Sequence, residues 1–218
     1  GLNAVIRAVI KTFLQNDCEV FGIYNGFNGL INGNLKLMNF ADVSGILPRG
    51  GTILGTTNRD NPFKFAVEEN GELVYYDMRD KVDGSLNIGA KLARECGIKV
   101  VGVPKTIDND LPCTERTFGF DTAVACATEA VDRLHTTAES HHRVMALEVM
   151  GRYAGWIALY SGIAGGADVI LLPEIPYNVD SVIEKIEQRR KDGKNFSIVV
   201  VAEGAKPIGG ELSVARVV

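Results

Sequence analysis

The residues best suited to acid–base chemistry lie in the stretch PKTIDNDLP, residues 104–112, where Asp108 and Asp110 flank one asparagine. This stretch directly follows the apolar run IKVVGV, which is typical of a buried strand. A carboxylate at such a position can accept a proton from a reacting hydroxyl group or help to hold a divalent cation. The stretch is therefore the first candidate for a catalytic site.

Three other strand-like runs are also followed by polar or charged residues. RVMALEV is followed by residues 150–152 (Met-Gly-Arg), ADVILLP by Glu174, and FSIVVVA by Glu203. Because an open α/β sheet presents ligands at the carboxyl ends of its strands, we expect these groups to share one edge. Each has an ordinary alternative, since an aspartate after a strand often caps a helix and Glu203-Gly204 can form a turn. Together they indicate a functional edge.

Phosphoryl transfer suits an edge of this composition. It needs a carboxylate that takes a proton from the attacking hydroxyl, a divalent metal held by acidic oxygens, and cations and amides for the phosphates. Asp83-Gly84-Ser85 opens a predicted helix whose amides can face an anion. The sequence holds neither a Walker P-loop nor a protein-kinase signature, and GTILG is a weak phosphate-loop signal.

The elements that must position these residues alternate along the chain. The first fourteen residues and the runs after residues 84, 118, 152 and 177 have helical apolar spacing. Between them lie strands rich in valine, isoleucine and leucine, which is typical of buried parallel strands joined by right-handed crossovers. The predicted fold is α/β and doubly wound.

Composition excludes several classes of function. The 218 residues carry a net charge of −4, which gives no reason to expect nucleic acid or an anionic membrane as partner. No apolar run approaches the roughly 18 residues of a membrane span. The four scattered cysteines are typical of reduced thiols, so we expect a cytoplasmic protein.

PKTIDND, MGRYAGW, GGTILGT, DGS and AEGAKP, together and over nearly the whole chain, resemble the phosphofructokinase family, which includes ATP-dependent and pyrophosphate-dependent members. The resemblance implies two similar domains with mostly parallel sheets, and magnesium-dependent transfer of a phosphoryl group to the 1-hydroxyl of fructose 6-phosphate in glycolysis. It divides the chain into a partial phosphoryl-donor domain, residues 1–118, and a fructose 6-phosphate domain, residues 119–218.

The resemblance also implies roles for individual residues. Asp108 is expected to be the base for the sugar hydroxyl, with Asp110 as electrostatic support. Arg152 is expected to stabilise charge in the transition state. The expected sugar-phosphate contacts are Thr106, Met150, Gly151, Arg152 and Glu203.

On the donor side, Asp83 resembles the magnesium-associated aspartate of the family, and Gly84 and Ser85 resemble its donor-phosphate contacts. Arg59 is the candidate for a phosphate-binding arginine, although the family position falls nearer Asn58. Arg143 matches an arginine that reaches the sugar phosphate of a neighbouring subunit, which implies a homodimer or homotetramer. The alternative for Arg143 is a solvated arginine that caps helix carbonyls.

The identity of the donor depends on two positions. In the family, a lysine at Lys105 together with an aspartate in place of Gly84 goes with pyrophosphate. This chain combines Lys105 with Gly84, and a small residue leaves room for the α-phosphate of a nucleotide. We expect ATP, with pyrophosphate as the alternative. Lys105 is expected to contact a donor phosphate, and an ordinary surface lysine is its alternative.

The chain departs from the family pattern at three places, so we expect a fold that is incomplete at both ends. The strand and glycine loop before GLNAVIR, an apolar strand before Asp83, and the C-terminal third are all missing. A further alternative is therefore a truncated or non-catalytic relative that binds sugar phosphate or assembles with a complete partner.

Overall fold

The computed structural model describes residues 1–57, 65–69, 72–76, 99 and 101–210. The chain divides into two compact units, Gly1–Val103 and Pro104–Val218. This division falls earlier than the boundary predicted after residue 118, because strand β5 (Lys105–Thr106) pairs in parallel with β6 (Phe118–Gly119) inside the second unit. The donor and sugar-phosphate labels of the two parts stay predictions.

The first unit begins with helix α1 (Leu2–Gln15), as the apolar spacing predicts. Ile10 on its inner face packs in a small core with Met38, Val43 and Ile46. The carboxamide of Asn3 on α1 donates to the Arg49 carbonyl at 2.9 Å and accepts from the Ile53 amide at 2.9 Å. The remaining described elements are a short helix and two antiparallel pairs, β1 with β2 and β3 with β4: β1 (Phe21–Ile23), α2 (Phe27–Ile31), β2 (Leu35–Leu37), β3 (Phe65–Glu69) and β4 (Glu72–Tyr76).

The second unit contains a three-stranded parallel sheet in the order β7-β9-β8. Its helices and strands alternate as predicted: α3 (Phe120–His141), β7 (Val144–Val149), α4 (Trp156–Ala164), β8 (Val169–Leu171), α5 (Val179–Lys191) and β9 (Ser197–Ala202). β9 lies in the centre, so its carboxyl end is flanked by the ends of β7 and β8.

The core of the second unit explains why these segments adopt this arrangement. Ile198 and Val200 on β9 are fully buried and pack with Phe120 and Val131 of α3 and Ile157 of α4. Full burial of side chains of this size stabilises the fold by about 1.5–3 kcal/mol each. The β-branched sequence of β9 therefore matches its central position in the sheet.

A polar cluster ties the amino-terminal ends of β8 and β9 to α5. Arg189 on α5 forms an ion pair with Asp168 at 2.8 Å, and its Nε donates to the Ser197 hydroxyl at 3.1 Å. The second carboxylate oxygen of Asp168 accepts from the Ile198 amide at 2.9 Å. These contacts fix the register of the sheet at the amino-terminal ends of its strands. The polar residues that follow the strands lie at the opposite, carboxyl-terminal end.

The buried strand predicted from IKVVGV is wrong for the part that the structure describes. Val101–Val103 is irregular, and Val101 is 88% exposed. No described strand pairs with these residues, and the next described strand, β5, has only two residues. An apolar run indicates a preference for burial, but it becomes a buried strand only where neighbouring strands provide hydrogen-bonding partners.

Among the described residues, no helix is long and apolar enough to cross a membrane. Cys18, Cys113 and Cys126 are free and exposed.

Candidate active site

Asp108 lies in the loop after β5 with only 9% of its surface exposed. Its Oδ1 atom is buried and has no hydrogen-bond partner among the described residues. The main-chain amide of Asp108 donates to the Thr106 hydroxyl at 3.1 Å, which anchors the start of the loop. The result is a buried carboxylate oxygen without a hydrogen-bond partner among the described residues.

The surroundings of Asp108 raise the pKa of its carboxyl group above the ordinary aspartate value. Burial is the largest cause, followed by the negative charge of Asp110 and, more weakly, that of Glu203. The positive charge of Arg152 and a hydrogen bond from Thr106 act in the opposite direction. These contributions show that the four charged groups predicted to converge do lie close together.

The loop that carries Arg152 follows β7 and is held by the carboxylate of Glu203. Glu203 Oε1 accepts hydrogen bonds from the amides of Gly151 at 3.1 Å and Arg152 at 2.6 Å. Gly151 and Arg152 both have positive φ, 145° and 52°. A Cβ at Gly204, next to Glu203, would collide with the Arg152 carbonyl oxygen, so glycine permits the close approach.

Glu203 therefore has a structural role in addition to the predicted contact with the sugar. Its Oε1 atom supports the main chain of the loop that follows β7 and carries Arg152, which we call the arginine loop. The expected contact of Glu203 with sugar hydroxyls stays a prediction. Parallel strand order explains the geometry, because β7 and β9 are adjacent and the Glu203 amide donates to the Val149 carbonyl at 2.9 Å. Arg152 and Glu203 meet although they are far apart in sequence.

The other end of the same loop is held by a second carboxylate. Glu174 Oε1, after β8, accepts from the amide of Gly155 at 2.8 Å, at the amino terminus of α4. A Cβ at Gly155 would lie 2.7 Å from Glu174 Oε2, too close for an ordinary contact. The sequence indicates only that an acidic residue follows β8, so its role as a loop support was missed.

Two further polar residues shape the loop around Asp108. The Asn109 carboxamide and the Thr117 hydroxyl join the two ends of this loop through hydrogen bonds. Neither residue was predicted from the sequence to have a role. Their spacing along the chain has no periodicity that indicates a contact.

The remaining predicted residues lie away from this group or outside the described residues. Lys105 is exposed at the start of β5. Met150 is exposed at the end of β7, beside Gly151. Arg143 precedes β7, whereas Met150 follows it, so the two are separated by the length of the strand, about 20 Å. Four predicted donor-side residues lie outside the described part of the chain: Arg59, Asp83, Gly84 and Ser85.

An open pocket of about 390 Å³ lies beside the loop that carries Asp108 and Asp110, which we call the acidic loop. Asp110 and Glu115 contribute carboxylates to its lining, and Trp156 and Tyr160 of α4 contribute aromatic rings. Within the described residues, no group of three or more His, Cys, Asp or Glu side chains is placed to hold a metal ion. The site as described supplies a buried carboxylate and a cation on a loop whose amides are held by Glu203.

Comparison with known proteins shows the family to which the chain belongs. The phosphofructokinase family model matches residues 1–217. The chain belongs to the phosphofructokinase family. The ATP-dependent 6-phosphofructokinase 2 of Clostridium perfringens is 54% identical over 237 residues, which cover the whole chain and 64% of that protein. The pyrophosphate–fructose 6-phosphate 1-phosphotransferase of Amycolatopsis mediterranei is 53% identical over 221 residues, covering 97% of the chain and 63% of that protein.

A solved structure supports the fold of the phosphofructokinase chain. The phosphofructokinase of Saccharomyces cerevisiae superimposes with a TM-score of 0.77 at 31% identity, covering 97% of this chain and 33% of that one. The predicted fold class is confirmed. The chain spans just under two thirds of the curated relatives it matches. The Clostridium match runs over 237 residues against 218 here, so that relative has at least 19 residues within the matched span that this chain lacks.

Proposed function

We propose that the protein containing this chain is an ATP-dependent 6-phosphofructokinase, which phosphorylates the 1-hydroxyl of fructose 6-phosphate. The observation that carries the proposal is the buried Oδ1 of Asp108, which has no hydrogen-bond partner in the described part of the chain and lies within electrostatic reach of Arg152. A base that must bind a substrate hydroxyl needs such an unoccupied acceptor, and family membership supplies the reaction class.

In the proposed reaction Asp108 accepts the proton of the sugar 1-hydroxyl as that oxygen attacks the terminal phosphorus of the donor. The bond between this phosphorus and the bridging oxygen breaks, and the leaving diphosphate keeps the electron pair. The raised pKa of Asp108 brings the base closer to neutral pH and so strengthens it as a proton acceptor.

The Arg152 side chain would stabilise the negative charge that develops on the transferred group. Glu203 fixes the amides of Gly151 and Arg152, so the loop is ordered before substrate binds. Thr106, Met150, Gly151 and Glu203 are the proposed sugar contacts. Asp110 keeps the pKa of Asp108 raised through its negative charge.

The donor side is proposed from the family pattern. Asp83 would hold magnesium together with donor phosphate oxygens, and the bound ion would neutralise phosphate charge. Magnesium needs few protein carboxylates, so one or two aspartates suffice. Gly84, Ser85, Arg59 and Lys105 would contact the donor phosphates.

ATP is the proposed donor because the chain keeps Gly84, where a carboxylate would repel and block the nucleotide. Relatives named for ATP and for pyrophosphate are about equally similar to it. Lys105 is the feature that favours pyrophosphate as the alternative.

Self-association is proposed from Arg143. This residue is exposed, forms no salt bridge within the described residues, and lies at the end of β7 opposite Arg152. An arginine at that distance can contact sugar phosphate only in the site of another subunit.

A donor comparison tests the proposal. With the full-length protein, fructose 6-phosphate and magnesium are held constant while ATP or pyrophosphate is varied, and Asp108→Asn is measured in parallel. We expect turnover with ATP and a loss of several orders of magnitude in the variant. Turnover with pyrophosphate alone would show that pyrophosphate, and not ATP, is the donor. If the folded protein shows no turnover with either donor, a relative that only binds sugar phosphate would be favoured.

A further inference from the structure

Asn109 and Thr117 close the loop that carries Asp108. The Asn109 Nδ2 donates to the Glu115 carbonyl at 3.2 Å, and its Oδ1 accepts from the Thr117 amide at 2.9 Å. The Thr117 hydroxyl donates to the Thr106 carbonyl at 2.7 Å. Both ends of the loop are thus joined through two side chains, which we call the Asn109–Thr117 clamp.

The hydroxyl of Thr117 has a single proton, which decides how the clamp is connected. Its oxygen lies 2.7 Å from the Thr106 carbonyl and 3.3 Å from Asn109 Oδ1. The shorter contact takes the proton, because a carbonyl oxygen at 2.7 Å is the better acceptor. Asn109 Oδ1 then accepts its hydrogen bond from the Thr117 amide. Thr117 is only 4% exposed, so loss of its hydroxyl would leave a buried carbonyl without that partner.

The clamp matters for Asp108 because the Asp108 Oδ1 has no hydrogen bond of its own among the described residues. The direction in which this oxygen points therefore depends on the backbone at residues 106–109 and on the hydrogen bond from the Thr106 side chain to the Asp108 carboxyl group. Before Asp108, the Thr106 hydroxyl accepts from the Asp108 amide. After it, Asn109 adopts a left-handed conformation with φ of 55°, which reverses the chain between the two aspartates.

A left-handed conformation is unfavourable for most residues, and asparagine tolerates it better than others do. Glycine adopts it without strain, but it has no carboxamide with which to bond Glu115 and Thr117. The choice of asparagine rather than glycine at this position therefore points to the hydrogen bonds of its side chain.

We propose that Asn109 and Thr117 are positioning residues, which hold the Asp108 carboxylate in the orientation that receives the substrate proton. The kinetic consequence rests on the proposed phosphofructokinase function, whereas the clamp itself does not. A base displaced by a fraction of an ångström loses transition-state stabilisation while the substrate still binds.

The first experiment compares Asn109→Gly with the wild type in the full-length protein. Glycine preserves the left-handed backbone and removes only the carboxamide. We expect kcat to fall about tenfold to a hundredfold, with the KM for fructose 6-phosphate within about threefold of wild type. Asn178→Ala is the control, because it removes the side-chain cap of α5, which lies outside the loop that carries Asp108. It should lower the Tm and leave kcat unchanged.

A matched pair at Thr117 separates the hydroxyl group from side-chain volume. Thr117→Val keeps the shape and loses the donor to Thr106, whereas Thr117→Ser keeps the donor. We expect the valine variant to lose kcat and the serine variant to stay within about twofold of wild type. Equal losses in both variants, or a wild-type kcat in Asn109→Gly, would overturn the positioning role.

Amide hydrogen exchange tests the clamp independently of turnover. In Asn109→Gly the Thr117 amide should exchange faster, because its acceptor is gone, while amides of β9 keep their protection. Unchanged exchange at Thr117 contradicts the clamp. If the wild type transfers no phosphoryl group, the proposed function fails, and this exchange measurement still decides whether Asn109 holds the loop.

Discussion

Asp108 is kept in surroundings that oppose its charged form, although the proposed reaction requires that form. Burial and the charges of Asp110 and Glu203 raise its pKa, and Arg152 only partly offsets them. The ionised form of Asp108 is therefore less favourable in the folded state than in an exposed aspartate, so the carboxylate accepts a proton more readily. The site thus gains a stronger base at the expense of stability.

The sign of this effect gives a prediction about stability. A group with a raised folded pKa contributes stability that is full below the ordinary aspartate value and is lost as pH rises through the raised value. Asp108→Asn, which stays neutral, should therefore have a higher Tm than the wild type at about pH 7, and the difference should vanish at about pH 3. Thermal unfolding at both pH values measures it.

Asp132→Asn, on the exposed face of α3, controls for the removal of one negative charge. A Tm of Asp108→Asn that equals or falls below the wild-type value at neutral pH would show that Arg152 outweighs burial and the two neighbouring carboxylates.

At the scale of elements, the ends of three parallel strands determine where the arginine loop lies. Glu203 after β9 holds its start, and Glu174 after β8 holds its end at Gly155. Because β9 lies between β7 and β8, both carboxylates reach the loop that leaves β7. The helix dipole of α4 adds to the second contact, since Glu174 lies at its amino terminus.

This arrangement predicts different effects for two substitutions at Glu174. Glu174→Ala removes the acceptor for the Gly155 amide and should cost about 1 kcal/mol of stability and lower kcat/KM several-fold. Glu174→Gln keeps an oxygen acceptor and should retain most of both. Thermal unfolding and steady-state kinetics of the two variants measure this, and an alanine variant with wild-type kcat/KM would remove Glu174 from the support of the loop.

The sequence predicts these elements where local patterns are sufficient. Amphipathic spacing predicts α1, α3 and α5, and β-branched runs predict β7 and β9, because side-chain periodicity and burial are properties of each segment. Residues after the adjacent parallel strands β7 and β9 then converge by topology, which brings Arg152 and Glu203 together, whereas Asp108 lies in the loop after β5, outside that sheet.

The failures concern features that depend on contacts between segments. The run IKVVGV is apolar but has no described neighbour to pair with. The β3–β4 hairpin was missed, although the dipeptide Asn70-Gly71 between two alternating runs is typical of one. The Asn109–Thr117 clamp consists of hydrogen bonds between side chains and main chain across a loop, and such bonds leave no periodic trace in the sequence.

At the scale of the whole molecule, the position of Arg143 separates two kinds of site. Asp108 and Arg152 act on each other within one chain, whereas Arg143 lies at the far end of β7. If Arg143 serves the site of a neighbouring subunit, residues of one site come from two chains. Subunits with different defects can then complement each other.

Mixing inactive variants tests this sharing. After subunit exchange, an equal mixture of Asp108→Asn and Arg143→Ala should recover about a quarter of the wild-type activity, because half of the pairs are hybrids with one intact site. Asp108→Asn mixed with Arg152→Ala is the control and should recover nothing, since the structure brings these two residues together within one chain. Recovery in the control, or none in the first mixture despite verified exchange, would contradict a site shared through Arg143, and a fully active Arg143→Ala would assign that residue to the solvated end of α3.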